Sequence, residues 1–364
     1  MAIPPLLVDL PDPRADPALW ARRLGISREA VELYATSHVV DAHVESFVWT
    51  RVFGYDLGRR HGSGLLGGCL YSQADLPRMV EVGLTGVVLS VATNPLRPRA
   101  RRTGVLLRNL RRLRAAVDAH PDRLAVVTDH AGYLRARAAG RLACFLAVQG
   151  GNALSAPADV ARLPGGLVSR VTLVHLTASS LGSPSAPSPR PRGGLTAEGR
   201  ELVAALDERR ILVDLAHANP PTFWDALAAH DRSLPAVVSH TGVTGVHDHW
   251  RNLDDDQVRA VAEVGGVVGV MFHAAFLGDS FLAGRADAVV RHLEHVIRVG
   301  GEAAAALGSD FDGLIVPPAD LRTVSRLPVL AQRMLDRGFS PERVGRVLGG
   351  NYLDVVARAR PAPA

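Results

Sequence analysis

The chain of 364 residues contains no lysine, and all 41 of its basic residues are arginine. Chemistry that needs an ε-amine is therefore excluded: a pyridoxal Schiff base, a Schiff-base aldolase, a P-loop NTPase, a protein kinase, or a metal centre bridged by a carboxylated lysine. Cysteine is almost as scarce. Cys69 and Cys144 stand alone and form no CxxC pattern, which argues against a structural zinc ribbon and for a reducing compartment. No run approaches the ~20 apolar residues of a membrane span. The N-terminus (MAIPPLLVDLPDPRADP) lacks the basic and apolar regions of a signal peptide, and the C-terminus (ARARPAPA) lacks an anchor tail. These absences lead us to expect a cytoplasmic protein without membrane contact. Aromatic residues make up 5% of the chain, and the formal charge is +5. The densest arginine run, Arg97 to Arg114, interleaves Val105, Leu106, Leu110 and Leu113, which predicts an amphipathic helix with a solvated basic face. No recognition motif accompanies it, so no nucleic-acid partner is expected.

What is present is alternation. Eight short apolar runs are separated by longer helical patterns: His38–His43, Leu84–Val91, Ala143–Gln149, Arg170–His175, Ile211–His217, Pro235–His240, Gly266–His273 and Ala304–Asp310. Continuous apolar strands between helices imply a parallel sheet covered on both faces, and eight such units imply an α/β fold of the (β/α)8 TIM-barrel type. Thr196 caps a helical pattern with Leu202, Ala205 and Leu206 on one face. Ala286–Val299 and Glu342–Leu348 repeat that signal around the last strand. We expect one barrel domain over residues 1–364, with an N-terminal extension (about 1–35) and a flexible C-terminal tail (about 359–364). The Pro/Ser/Gly-rich stretch Ser180–Gly194 follows the fourth strand and reads as a mobile rim loop.

Most of these strands finish on a residue that binds metal or handles a proton: His43 with Glu45, Gln149, His175, His217, His240 and Asp310. Barrel active sites are built from such residues at the C-terminal ends of the strands. A lone histidine at a strand end is often only a hydrogen-bonded structural residue, but four with an aspartate at one level point to a site. His217 and His240, after consecutive strands, are placed to share one ion at a Zn–N distance of ~2.0–2.1 Å. Asp41, Asp214 and Asp312 read as structural residues. His247 and His249 read as rim residues, and His273 as a further polar group near the pocket.

The segments VVDAHVES, ADLPRMVEVGLTGVVLSV, LAVQGGNAL, RVTLVHLTASSLG, GLTAEGRELVAALDERRILVDLAHA, AVVSHTGV, RNLDDDQVRAVAEVGGVVGVMF, LGSDFDG and VLGGNYLDVV resemble, in order and spacing from Arg28 to Arg358, the membrane (renal) dipeptidase family of amidohydrolase-like metallopeptidases. The resemblance implies a two-zinc hydrolase of small peptides and a homodimer. It implies that His43 and position 45 serve the first zinc, that position 149 bridges both, and that His217 and His240 serve the second. It implies that His175 helps bind substrate and polarises the scissile carbonyl. It further implies that Arg251, followed by Asn252, clamps the substrate and that Asp310 handles the proton.

Two departures bear on the metal. Glu45 stands where the family pattern has Asp, and Gln149 stands where it has the bridging Glu. A neutral amide is a weak ligand that does not readily bridge two cations, so a second ion binds less well. Asn152 replaces the histidine common in the family's EGGH run, and we place it with the substrate contacts. The expected function is a dipeptidase-like hydrolase acting through metal-activated water, with one or two Zn2+. The alternatives are a one-metal or metal-free relative acting on a peptide-like biosynthetic metabolite, or a non-catalytic binding homologue.

Overall fold

The computed structural model describes residues 6, 8–64, 66–92, 94, 96–187 and 193–361. Two helices, α1 (Pro17–Leu24) and α2 (Arg28–Thr36), precede the first strand. Asp16 and Ser27 cap them by accepting from backbone N–H groups, and each helix buries one apolar face that includes Trp20 or Tyr34. Nine strands follow: β1 (Val40–Val44), β2 (Gly86–Ala92), β3 (Leu124–Val126), β4 (Leu142–Gln149), β5 (Val168–Thr172), β6 (Leu212–Asp214), β7 (Val237–Thr241), β8 (Val267–Val270) and β9 (Ala305–Leu307). All pairings are parallel, in the order β1-β2-β4-β5-β6-β7-β8-β9. The last strand returns to the first. Val44 bridges Phe311, Glu45 N–H donates to Phe311 O (2.9 Å), and Asp310 N–H donates to His43 O (3.0 Å). Eight strands with helices around them thus form a nearly closed TIM-type barrel, as the alternation predicts.

The expected eight strands are all present, and β3 is additional. Its three residues pair only with the start of β4, ahead of the point where β5 begins to pair. Four strands also end earlier than the apolar runs suggest. β5, β6, β8 and β9 stop at Thr172, Asp214, Val270 and Leu307, so His175, His217, His273 and Asp310 each stand three residues beyond. The helical expectations hold with shifted ends: α3 (Arg102–Asp118) buries Leu106, Leu110 and Leu113, and α4 (Ala197–Glu208) is capped by Thr196. In the expected rim loop, residues 188–192 lie outside the described residues. Its described part rests beside His217, with Pro184 bridging Ala218 and Ser185 N–H donating to His217 O (2.6 Å). Of the expected C-terminal tail, residues 362–364 lie outside the described residues, and a last helix, α5, runs over Asn351–Ala359.

The core beneath the mouth is tight where β7 meets its neighbours. A Cβ on Gly269 or Gly308 would stand 2.1 or 1.7 Å from the Ser239 carbonyl oxygen, so only glycine lets these backbones press against the residue before His240.

Candidate metal centre

The strand-end residues form a continuous run of contacts across the barrel mouth. Gln149 Nε2 donates to His175 Nε2 (3.1 Å), and the His175 and His217 rings meet edge to face at 4.7 Å. His217 Nε2 lies 2.8 Å from His240 Nε2, and the His240 ring stacks on His43 at 3.9 Å. His43 Nε2 then faces Glu45 Oε1 at 3.2 Å and Asp310 Oδ1 at 3.6 Å. Arg251 joins through its guanidinium, which donates to His240 O (2.8 Å). Seven of the predicted side chains therefore touch in sequence around one spot, with Arg251 at its edge.

Two of these groups sit on strained backbone. His217 has φ 66° and Asp310 has φ 61°, in the left-handed region that disfavours most side chains. The turn just past β6 and the turn just past β9 aim both residues back over the barrel axis, and such strain concentrates at functional sites.

Below the histidines lies a polar layer whose full extent the apolar runs concealed. Arg170, fully buried inside β5, pairs with Asp214 Oδ2 (2.5 Å) and donates to His43 Nδ1 (2.9 Å). Asp214 also accepts from Thr172 Oγ1 (2.6 Å), Ser239 Oγ (2.6 Å), Ser239 N (2.9 Å) and Ala216 N (3.0 Å). Because Ser239 gives its proton to Asp214, its oxygen accepts from His240 Nδ1–H (2.8 Å). That leaves the lone pair of His240 on Nε2, the arrangement of a ready metal ligand. His43 is held the other way. A guanidinium only donates, so His43 Nδ1 accepts and its proton sits on Nε2, toward Glu45. Sequence reasoning passed over Arg170, although an arginine inside a strand buried on both faces demands a buried acid, and Asp214 on the next strand supplies it.

Burial sets the charge states. It pushes His43, His217 and His240 well below the ordinary imidazole value and His175 to about 3, so all four are neutral. It raises Glu45 to about 8, against the pull of Arg51 and Arg170. Asp310 is raised well above the carboxylate range by burial and then by Glu45. Burial lowers Arg251 to about 10, opposed by Asp310 and Asp214, so it stays charged at neutral pH.

The donor set fits a metal. The His240 Nε2 lone pair faces His217 Nε2 (2.8 Å), and the buried oxygens Glu45 Oε1 and Asp310 Oδ1, beside the His43 ring, make no hydrogen bond among the described residues. One ligand atom each from His43, His240 and Asp310 lies within 4.8 Å of the others. Buried imidazoles and carboxylates suit Zn2+.

The remaining predicted residues have other surroundings. Asn252 spends its amide on two carbonyls, His247 O and Phe276 O (2.9 Å each), and so ties together the loops after β7 and β8. Asn152 is buried, and its Oδ1 has no hydrogen-bond partner. His247, His249 and His273 stand outside the contact run. Asp41 accepts from His43 N and Ser309 N, and Asp312 accepts from Gln73 N, Ala74 N and Ser46 Oγ. These bonds fit the structural roles expected of both.

The sequence profile of the membrane dipeptidase family (peptidase family M19) matches residues 27–362. An uncharacterized protein of Klebsiella pneumoniae from the pqqA 5′ region is 37% identical over 175 residues, 46% of this chain and 62% of that protein. An uncharacterized dipeptidase of Schizosaccharomyces pombe is 32% identical over 237 residues, 63% of this chain and 56% of that protein. The chain thus spans less than two thirds of the length of each of these two relatives in the matched regions. A metallopeptidase of Rhodobacter sphaeroides, solved with a phosphinate mimic of the dipeptide L-Ala-D-Ala, superposes with a TM-score of 0.79 at 25% identity, covering 89% of this chain and 99% of that one. With the barrel, the strand-end histidines and a family match over nearly its whole length, the chain belongs to the membrane dipeptidase family, peptidase family M19.

Proposed function

We propose that this protein is a metal-dependent hydrolase of a dipeptide or a similar small amide, with Zn2+ as its ion. One observation carries the reading: the His240 Nε2 lone pair, fixed by the Nδ1–H bond to Ser239, meets His217 Nε2 beside the buried carboxyl oxygens of Glu45 and Asp310, which make no hydrogen bond among the described residues. His217 and His240 would hold the tighter ion, with Glu45 or Gln149 completing its shell. His43 would serve a weaker second position. A bound Zn2+ supplies a Lewis acid for the scissile carbonyl and acidifies water.

The chain's own groups supply the rest. Arg251 offers a charged, planar guanidinium to the substrate carboxylate, and among the described residues it donates through one nitrogen, to His240 O. Asp310, kept protonated by burial and Glu45, is placed to pass a proton to the leaving amine. His175 is neutral, and the Gln149 amide fixes its orientation, so it binds the substrate as a dipole rather than as a cation. Asn152 Oδ1 is an acceptor for the substrate amine. The same reading takes residues 1–364 as one barrel domain, working as a homodimer in the cytoplasm, where the free thiols of Cys69 and Cys144 persist.

Gln149 favours a second reading, a one-metal relative acting on a peptide-like metabolite. Elemental analysis of the purified protein, paired with a dipeptide hydrolysis screen with and without added Zn2+, tests both. We expect at least one ion per chain and hydrolysis that rises with Zn2+. Absence of any ion together with absence of turnover would overturn the first reading, and one ion without dipeptide turnover would favour the second.

A further inference from the structure

The loops after β7 and β8 carry a group of rings that the metal centre does not use. Phe276 lies against His249 (centroids 4.3 Å, 28° between planes) and against His273 (4.2 Å, 21°). Trp250 closes one side, 5.0 Å from His249 and 5.8 Å from Phe276, and Phe281 lies 6.0 Å from His273. Rings stacked this way are held, not loose. Asn252 fastens both loops to each other, and His249 Nδ1 accepts from Arg251 N (3.2 Å). Yet the outer members are open to solvent: Trp250 is 42% exposed and Phe281 51%. Aromatic residues are few in this chain, and their exposure in one rigid group at the catalytic end of the barrel marks a binding surface.

Its position indicates what it binds. Trp250 precedes Arg251, whose backbone N–H donates to His249 Nδ1 within the cluster and whose buried guanidinium donates to His240 O. Arg251 thus joins the ring cluster to the strand-end histidines, so a ligand held there by its carboxylate has this cluster as its neighbour. In the same stack His273 Nδ1 is buried with no hydrogen-bond partner among the described residues, a polar atom that a phenol or an indole would satisfy. Building on the dipeptide reading, we propose that this ring cluster selects the C-terminal residue of the substrate, and that the preferred residue is aromatic, with a free carboxylate.

Two measurements separate this inference from the reading it rests on. The first is kcat/KM for Ala-Gly, Ala-Ala, Ala-Phe and Ala-Tyr, with each chiral C-terminal residue in both configurations, and for the reversed Phe-Ala. We expect the better Ala-Phe isomer to exceed Ala-Gly at least tenfold, and Trp250→Ala to reduce that ratio at least fivefold, because stacking and burial of a ring are what distinguish the two. The second needs no turnover: calorimetric titration of the Zn2+-loaded protein with N-acetylphenylalanine and N-acetylglycine. We expect the aromatic ligand to bind at least tenfold more tightly in the wild type, with the gap shrinking in Trp250→Ala and in Phe276→Leu. Dipeptide turnover without an aromatic preference, or with the preference at the N-terminal position, overturns the inference and leaves the hydrolase standing. Aromatic selectivity in binding without turnover of any dipeptide overturns the hydrolase and leaves the inference standing.

Discussion

On β7 the His240 ring is aimed by acceptors, whereas on β1 the His43 ring is held by a donor. The two rings stack face to face at 3.9 Å and belong to one site, yet a single arginine gives them opposite tautomers. Arg170 draws Asp214 against it, Asp214 takes the Ser239 proton, and Ser239 in turn accepts from His240 Nδ1. The same guanidinium donates straight to His43 Nδ1. The β7 side is therefore prepared for a cation. The β1 side is prepared to hold protons, with Glu45 and Asp310 both raised toward their neutral forms. On the proposed reading, metal preference is set by the polar layer below the ligands as well as by the ligands themselves.

The largest test of this contrast is to remove each ring. His240→Ala should weaken Zn2+ binding by at least about 100-fold, since the loss of a ligand exceeds the 10–100-fold typical of its outer partners. His43→Ala should weaken the tightest ion less than tenfold. Competition titration with a chelating dye measures both, and the opposite ranking would invert the comparison. Asp214→Ala comes next. It leaves Arg170 as a fully buried, unpaired cation, so urea unfolding should show a loss of about 3–5 kcal/mol. A loss below 1 kcal/mol would mean that the layer does not hold the two sides apart.

A subtler change is Gln149→Glu. It returns a negative charge between the two positions and, because a carboxylate only accepts, moves the His175 proton to Nε2. Inductively coupled plasma mass spectrometry should then find two ions per chain where the wild type retains one after dialysis. An unchanged ion count would show that the amide is not what weakens the second position.

The smallest effect is on pH stability. Eight imidazoles, those of His38, His43, His175, His217, His240, His249, His273 and His292, are depressed below 6.5 in the folded state. As pH falls below about 6.5 the unfolded chain takes up those protons first, and stability drops. Four carboxyls act in the opposite sense. Asp41 is raised to about 6 and Glu45 to about 8, with Asp310 and Asp312 also raised, so their contribution is present at low pH and is lost as pH rises through those values. Eight groups outweigh four in the acid range. The urea midpoint of the ion-free protein should peak near about pH 6.5, fall toward pH 5, and fall less toward pH 8.5. A midpoint that rises steadily toward pH 5 would show that the carboxyls dominate.

Much of this was legible from residue order alone. The eight apolar runs gave the barrel, because a parallel strand buried on both faces must be apolar throughout. β3 escaped notice because three residues, Leu124–Val126, carry no periodicity of their own. The early strand ends escaped notice for a related reason: Leu173, Val174, Leu215 and Ala216 are as apolar as the strands they follow, yet they belong to the turns that carry His175 and His217. Composition identifies which residues are buried but not where pairing stops. The site residues were visible one by one, but the tautomers were not, since they depend on which atom of Arg170, Ser239 or Asp214 faces which ring.

The left-handed backbone at His217 and Asp310 narrows the amino acids those two positions accept. Glycine, asparagine, aspartate and histidine tolerate that region; branched and bulky side chains do not. Within that short set, a drifting lineage that leaves histidine or aspartate lands on Asn or Gly, which fold equally well but bring neither an imidazole nor a proton. Loss of chemistry here is therefore cheap for the fold, and His217→Asn and Asp310→Asn are suitable silent partners for experiments that need the intact barrel without its reactivity.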